Sequence, residues 1–367
     1  MKNFILPLWI DVGLLPLLNL CLAFLVAGIV IFALGVDPFQ ALGVMVKGAF
    51  FYDGGVGYTL YYATNFIFTG LAAAVAFHAL LFNIGGEGQA YLGGLGIALV
   101  CLYFGSYFSS FILIPLAIIA SAFFGMIWAL IPAFLQAFRG SHVVITTIMF
   151  NFIAGGLMVS LLTGPLMRPN QSSPVSKFFH DSASLPDINS FNLFFGTELT
   201  KSPLNFSFLI AVFMCFFVWF LIWRTRFGYC LRVLGKSKDV AIYAGINVKK
   251  IIIITMGISG AIAGLMSVNE ILGVQHRLIL NFTAGYGFTG IAVALMGRNH
   301  PFGIFLSSIL FGALYQGGTE LDFEFNEITR DMVVLIQGLI ILFSGALAHM
   351  LNPLFIRLVI FIQKMRF

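Results

Sequence analysis

One polar segment between two apolar runs carries the side chains best suited to chemistry. It reads Phe82-Asn-Ile-Gly-Gly-Glu-Gly-Gln89, and its residues of interest are Asn83, Gly85, Gly86, Glu87 and Gln89. Glycine weakens a helix by about 1 kcal/mol relative to alanine, so the sequence predicts a helix break here. Within a membrane, a break must be surrounded by protein or a water-filled cavity, and many transporters place their substrate pathway there. The alternative is a turn at the membrane surface with Glu87 in water.

A second segment, Asn281-Phe-Thr-Ala-Gly-Tyr-Gly287, has a similar mixture of amide and glycine residues and also opens an apolar run. Its presence favours a pathway lining over a simple turn. His78 lies inside the apolar run before Asn83 and is either functional or a hydrogen-bond partner between helices. The full predicted pathway set is Asn83, Gly85, Gly86, Glu87, Gln89, His78, Asn281, Gly285, Gly287 and Thr289.

Three further polar residues lie in apolar runs. Glu270 is a candidate functional group because ionisable residues are costly to place within a membrane. We nevertheless expect it to pair with His276 or Arg277 at the membrane surface. Asn151 and Gln337 are uncharged, and we interpret both as hydrogen-bonding contacts between packed helices.

Common catalytic and metal-binding motifs are absent from the sequence. It has no G-x-x-x-x-G-K-[ST] phosphate loop, no H-E-x-x-H or G-x-S-x-G motif, and no His/Asp cluster at metal-ligand spacing. The four cysteines are scattered without a C-x-x-C pair. We therefore expect no enzyme active site, no metal site and no cofactor bound by this chain.

The composition excludes a soluble protein. Of the 367 residues, 60% are hydrophobic and 9% are charged, whereas about a quarter of the residues in a soluble domain are charged. The mean hydropathy is +1.02. The basic residues that give the net charge of +5 cluster in loops, as expected for a membrane protein. We therefore expect membrane lipid, and no nucleic acid, as a partner.

Ten apolar runs with almost no charge are candidates to cross a bilayer. Helices satisfy their own backbone hydrogen bonds in lipid, and the alternating pattern of a β-barrel is not visible. The sequence therefore predicts an all-α polytopic membrane protein with about ten transmembrane helices. The runs cover residues 13–34, 57–82, 89–105, 110–135, 143–163, 206–223, 251–273, 280–297, 302–317 and 332–349.

The loop of residues 224–250 predicts the orientation. It contains seven Lys or Arg residues and one Asp, a net charge of +6 that exceeds the +5 of the whole chain. The positive-inside rule places such a loop in the cytoplasm. Counting runs from it places both termini in the cytoplasm and the loops 164–205 and 318–331 outside.

Internal similarity predicts two inverted five-helix repeats. Gly70–Ala76 resembles Gly257–Ala263, and Asn83–Gln89 resembles Asn281–Gly287. Both pairs are five runs apart, an odd number, so the two halves would have opposite orientations in the membrane. Chance similarity among Gly- and Ala-rich helices is the alternative. The prediction is one transmembrane domain, 1–367, with repeat one at about 13–163, an external loop at 164–205, and repeat two at about 206–350 containing the cytoplasmic loop 224–250.

The stretch Lys236 to Gly245 is typical of a short helix within the basic loop. Ser237 or Asp239 can cap its first turn, and Gly245 can end it in a left-handed conformation. Three apolar side chains cannot all be buried in so small an element, namely Val240, Ile242 and Tyr243. They predict a docking surface for a partner protein. The alternative is a helix that lies on anionic lipid headgroups.

Taken together, these motifs resemble those of a known transporter family. The motifs are Phe82–Gln89, Ser141–Asn151, and Arg224–Gly235 followed by Ala244–Asn247. They resemble the permease subunits of bacterial ABC importers of the branched-chain amino acid and ribose superfamily. The Asn-Ile-Gly-x-Glu-Gly-Gln form is similar to the branch that transports nucleosides or simple sugars. The resemblance covers nearly the whole chain, and its motifs are specific in combination.

The resemblance implies a ten-helix permease of the bacterial cytoplasmic (inner) membrane that works by alternating access. Its implied partners are a second permease subunit, identical or different, two cytoplasmic ABC ATPase domains, and an external substrate-binding lipoprotein. ATP and Mg²⁺ would be used by the partner ATPase. The implied ATPase-coupling residues are Lys236, Ser237, Asp239, Val240, Ala241, Tyr243, Ala244 and Gly245. Ser237 and Lys238 depart from the Asn-Pro or similar sequence that relatives tend to carry.

Two other functions stay open at this stage. A proton-coupled secondary transporter would need paired intramembrane acids, whereas Glu87 and Glu270 are single carboxylates at or near the ends of separate apolar runs. A passive channel for a small polar solute would need a continuous polar lining, which the two interrupted segments would have to supply.

Overall fold

The computed structural model describes residues 15–168, 173–187, 202–325, 327–329, 331–340 and 342, and these ranges are helical apart from loops and isolated bridges. The helices are α1 Leu15–Ala33, α2 Pro38–Phe50, α3 Gly55–Phe77, α4 Gly86–Phe104, α5 Ser110–Phe134, α6 Val143–Thr163, α7 Ser207–Arg224, α8 Arg226–Leu234, α9 Lys238–Tyr243, α10 Val248–Ser267, α11 Tyr286–Met296, α12 Pro301–Glu324 and α13 Asp331–Ile340. Wide π-helical turns extend α5 over Leu135–Arg139 and α10 over Val268–Gln275.

The prediction of an all-α polytopic membrane protein is confirmed, with fewer candidate spans than the ten predicted. Within the described ranges, seven helices are long and apolar enough to cross a membrane, or up to eight if the bent pair α1–α2 forms one span. The predicted last span, 332–349, contains α13 over its first part. The rest of that run, apart from residue 342, lies outside the described residues.

The predicted span at 280–297 is wrong as a full crossing. Helix α11 has 11 residues and is therefore about 16 Å long, whereas the hydrocarbon core of a bilayer is about 30 Å thick. The chain before α11 turns repeatedly through left-handed backbone conformations that a right-handed helix cannot include. The left-handed residues are His276, Asn281, Ala284 and Gly285.

The chain forms two compact units. One consists of the described residues up to Tyr52 and from Ala313 onward. In it, α1 is followed by α2 at a bend of 117°. Pro38 begins α2, and the Asp37 carboxylate accepts a hydrogen bond from the Phe39 amide at 2.9 Å, which is a favourable helix start. The apolar core of this unit includes Ala23, Ala27, Ile31, Met45, Leu321 and Ile336.

The other unit runs from Asp53 to Gly312. Helices α3, α4 and α10 are buried around most of their circumference, whereas α5, α6 and α7 bury one face each. The most extensive helix pairings join α10 to α5, α4 to α5, α3 to α11 and α3 to α10. The three central helices therefore place most of their side chains inside this unit.

Small residues allow α5 and α10 to approach closely. The buried face of α5 repeats every fourth residue, at Leu113, Ala117, Ser121, Gly125 and Ala129. It packs against Gly260 and Gly264, a G-x-x-x-G pair in α10. Membrane helices that associate through such residues bring their backbones close together. A Cβ added at Gly125 would lie 2.9 Å from the Gly264 Cα, so this contact has no room for a side chain.

We predict that Gly125→Val lowers the free energy of unfolding by about 1–3 kcal/mol, the usual effect of overpacking, and lowers the melting temperature of the purified protein. Gly156→Val in α6 is the matched control, because a Cβ there has no neighbour within 4 Å. Equal thermal shifts for the two variants, measured in the same detergent, would contradict the close approach of α5 and α10.

Candidate functional site

The predicted helix break lies between α3 and α4. Leu80 in this segment has a positive φ of 55°, and α4 begins at Gly86. The Asn83 side chain organises the turn: its Oδ1 accepts the Gly85 amide at 2.9 Å, and its Nδ2 donates to Ser259 of α10 at 2.9 Å. Asn83 and Gln89 also exchange two amide hydrogen bonds of 3.1 Å. The segment is therefore a fixed, buried turn joined to α10.

Side chains of α6 satisfy the backbone groups that the break exposes. The Asn151 amide donates to the Ile84 carbonyl at 2.9 Å and its oxygen accepts the Gly88 amide at 2.9 Å. The Thr147 hydroxyl accepts the Ile84 amide at 3.3 Å. Asn151 does join two helices, as predicted, but it does so by replacing hydrogen bonds that the break removes.

The Glu87 carboxylate joins the start of α4 to the start of α11. Its Oε1 accepts the Gly285 amide at 2.9 Å and its Oε2 accepts the Gly287 amide at 2.8 Å. Glu87 is 9% exposed, which rules out the alternative of a solvated side chain in a surface turn. A carboxylate at a helix N-terminus is favourable because free amides and the helix dipole both face it.

Close backbone packing accompanies this contact. A Cβ at Gly86 would lie 3.5 Å from the Gly287 carbonyl oxygen, and a Cβ at Gly287 would overlap the Glu87 backbone. The two glycine-rich segments that the sequence suggested as related therefore meet directly. We call the junction formed by residues 83–89 and 281–289 the half-helix junction.

The other predicted pathway residues occupy different positions. Asn281 is exposed and accepts a hydrogen bond from the Tyr91 hydroxyl at 3.0 Å. Thr289 is half-buried, and its hydroxyl donates to the Gly285 carbonyl at 3.3 Å. His78 contacts the Ala74 carbonyl at 2.8 Å and the Trp223 ring, with 5.3 Å between ring centroids. It therefore caps α3, and neither of these His78 contacts is with the half-helix junction.

The expectation that Glu270 pairs with His276 or Arg277 is wrong. Its Oε1 accepts hydrogen bonds from the Tyr61 hydroxyl and the Asn65 amide of α3, both at 2.6 Å. The π-helical continuation of α10 keeps Glu270 inside the unit and 4% exposed. Arg277 lies instead over the Phe178 ring, 4.5 Å from its centroid.

Sequence reasoning missed a buried polar network next to Glu270. The Asn269 amide donates to the Asn65 oxygen at 2.8 Å, and the Asn269 oxygen accepts from Asn205 at 2.9 Å and from Ser207 at 2.8 Å. This network ties α3, the π-helical turn and the start of α7 together. The available signal was an asparagine in each of two otherwise apolar runs, because buried amides in membrane helices need partners.

The short helix predicted in the basic loop is present as α9. The Ser237 hydroxyl accepts the Val240 amide at 3.4 Å, and Gly245 follows with a φ of 73°. Ala241 is fully buried, whereas Tyr243 is 96% exposed. The remaining predicted coupling residues at the surface are Lys236, Asp239, Val240, Ala244 and Gly245.

The chain matches a sequence family described as branched-chain amino acid transport system, permease component, over residues 55–345. It is 33% identical over 339 residues to the glucose ABC transporter permease protein TsgB13 of Haloferax volcanii, covering 92% of this chain and 88% of that protein. It is 33% identical over 335 residues to the guanosine ABC transporter permease protein NupP of Bacillus subtilis, covering 91% and 93%.

A second guanosine permease of Bacillus subtilis, NupQ, is 28% identical over 265 residues, covering 69% of this chain and 78% of that protein. No solved structure matches the chain.

We predict that Asn151→Leu destabilises the protein, because it leaves the Ile84 carbonyl and the Gly88 amide without their partner. A buried polar group left unsatisfied costs about 1–3 kcal/mol, so the melting temperature should fall by several degrees. Thr146→Val on the same helix is the control, since the Thr146 hydroxyl bonds only to carbonyls of its own helix region. A melting temperature for Asn151→Leu equal to that of Thr146→Val would show that α6 does not support the break.

Proposed function

This chain belongs to the family of permease components of branched-chain amino acid transport systems, and from that premise we propose that it carries nucleosides or simple sugars inward across the bacterial cytoplasmic membrane. It is the permease component of an ABC importer and not the ATPase. The observation that carries the substrate proposal is the similarity, over about nine-tenths of the chain, to permeases named for glucose and guanosine.

The half-helix junction is the proposed substrate pathway. It unites two unwound segments among the central helices of a membrane protein, and transporters use such segments because their backbone and amide groups can face a solute. Asn83, Gln89 and Glu87 supply hydrogen-bonding groups suited to hydroxylated, uncharged solutes. In the described conformation Asn83 and Gln89 bond to each other and Glu87 bonds to the amides of Gly285 and Gly287, so passage requires the junction to open by alternating access.

Matching contacts support the proposed pair of inverted repeats. Helix α4 packs on α10 through Gly93 against Gly264, and α11 packs on α3 through Gly290 against Thr69. In the proposed repeats α4 corresponds to α11 and α10 corresponds to α3. Each of these two contacts is therefore the counterpart of the other, as a two-fold relation requires.

A second pair of contacts follows the same rule. Gly125 of α5 packs on α10, and Gly312 of α12 packs against Thr59 and Ala63 of α3. We therefore retain repeat one at about 13–163 and repeat two at about 206–350 within a single permease domain. Seven candidate spans and the bent pair α1–α2 account for eight crossings. The proposed ten crossings require two more, namely α11 with the segment before it, counted as one broken span, and the run at 332–349.

The proposed assembly contains a second permease subunit, two cytoplasmic ATPase domains that bind ATP and Mg²⁺, and an external substrate-binding lipoprotein. Two distinct permeases of one organism, NupP and NupQ, both resemble this chain, which favours a second permease of different sequence. The charge of +6 on residues 224–250 supports a cytoplasmic loop and cytoplasmic termini.

Helix α9 is the proposed contact for the ATPase. Its buried Ala241 fixes it to the permease, while Val240 and Ile242, 57% and 56% exposed, and Tyr243 project outward. An exposed apolar side chain on a fixed helix is suited to insert into a groove of a partner. The chemical step of ATP hydrolysis then belongs wholly to the partner.

We predict that Tyr243→Ser reduces ATP-dependent uptake at least about ten-fold, because a central aromatic anchor of an interface is lost. Tyr229→Ser is the control, since Tyr229 is also an exposed tyrosine of the basic loop, at 61%. Uptake into proteoliposomes and the amount of co-purified ATPase report the effect. Normal values for both measurements in Tyr243→Ser would mean that α9 contacts only lipid.

The substrate proposal predicts that the reconstituted importer takes up labelled guanosine or glucose only when ATP is present on the side of the membrane to which the ATPase is bound. Replacing the ATPase with a hydrolysis-deficient form should abolish uptake, and dissipating the membrane potential should leave it unchanged. Uptake that persists without ATP, or that follows the membrane potential, would instead indicate a channel or a secondary transporter.

A further inference from the structure

The half-helix junction contains one carboxylate, that of Glu87. Both oxygens accept backbone amides of α11, and no Lys, Arg or His contacts the carboxylate in the part of the chain that the structure describes. Burial disfavours the ionised form of this carboxylate, whereas the hydrogen bonds to both oxygens and the helix N-terminus favour it. The junction therefore holds one acid whose negative charge, when ionised, has no neighbouring cation among the described residues.

This arrangement reverses the usual property of a helix N-terminus. Free amides at the start of a helix attract phosphate and other anions. Here the amides of Gly285 and Gly287 are already occupied by a carboxylate from the same chain. An anionic solute at the junction would lose those donors and would also meet a like charge in a poorly solvated region, where charge interactions are strong.

Uncharged hydroxyl groups meet no such barrier. Thr283 lies beside Glu87, and its side chain is 1% exposed. Hydroxyls can both donate to a carboxylate and accept from a threonine. The junction therefore suits neutral hydroxylated solutes and disfavours their phosphorylated forms.

We infer that Glu87 is a charge-selectivity residue that excludes anions from the pathway while admitting uncharged solutes. The inference rests on the proposed function, because it requires the half-helix junction to line the pathway. Nucleosides and simple sugars are neutral, whereas nucleotides and sugar phosphates are anionic. The importer would thereby admit the former and reject the latter at this residue.

The test measures the local charge in the complete importer with a single reactive thiol. The natural cysteines Cys21, Cys101, Cys215 and Cys230 are replaced by serine, and Thr289→Cys introduces a thiol on the first turn of α11. Reaction rates are measured with a trimethylammonium-ethyl and a sulfonatoethyl methanethiosulfonate, one cationic and one anionic. Thr163→Cys, on an exposed end of α6, provides the reference ratio of the two rates.

We expect the thiol at position 289 to favour the cationic reagent about ten-fold more than the reference thiol does, as a nearby fixed charge should produce. Glu87→Gln, which keeps an acceptor oxygen, should remove this preference, whereas Glu87→Asp, which keeps the charge, should retain it. This pair of variants separates charge from local structure.

Three results would overturn the inference. The first is the absence of a cation preference at the thiol of position 289 when Glu87 is intact. This measurement does not depend on whether a Glu87 variant folds. The second is a preference that persists in Glu87→Gln or that disappears equally in Glu87→Asp. The third is a thiol at 289 that reacts with neither reagent in any nucleotide state, and this result would also overturn the proposed pathway.

Discussion

Backbone amides and carbonyls inside a membrane protein must find partners within the protein, because lipid offers none. The break before α4 meets this constraint with side chains. Asn151 replaces two lost backbone partners, and Glu87 occupies two amides at the start of α11. Side chains thus replace several of the bonds that a helix would make within itself, and these replacement bonds run between different elements. Such bonds can be exchanged when the elements move, whereas the bonds within one helix cannot.

The same constraint explains the small residues around the junction. A side chain can join the starts of α4 and α11 in this way only when their backbones are close, and Gly86 and Gly287 accordingly face one another. The close packing of α5 on α10 brings the central helices together in the same way. Polar function and glycine content are therefore linked at this contact, because the Glu87 carboxylate reaches amides of glycine residues whose backbone lies close to its own.

Local features of the fold could be predicted from the sequence. The break at residues 82–89 follows from its glycines, and the start and end of α9 follow from Ser237 and Gly245. Each of these depends on residues adjacent in the chain. Hydropathy also indicated the membrane helices, but it could not show that α11 is short, because left-handed turns leave the apolar content of a run unchanged.

Contacts between distant parts of the chain could not be predicted. Nothing in the sequence near Glu270 indicates that its partners are Tyr61 and Asn65, more than 200 positions away. Nearby His276 and Arg277 offered opposite charge, and sequence proximity favoured them. Glu270 bonds to other partners because the π-helical turn holds it against α3, where the neutral donors Tyr61 and Asn65 lie. The three-dimensional arrangement determines which donors reach a buried carboxylate.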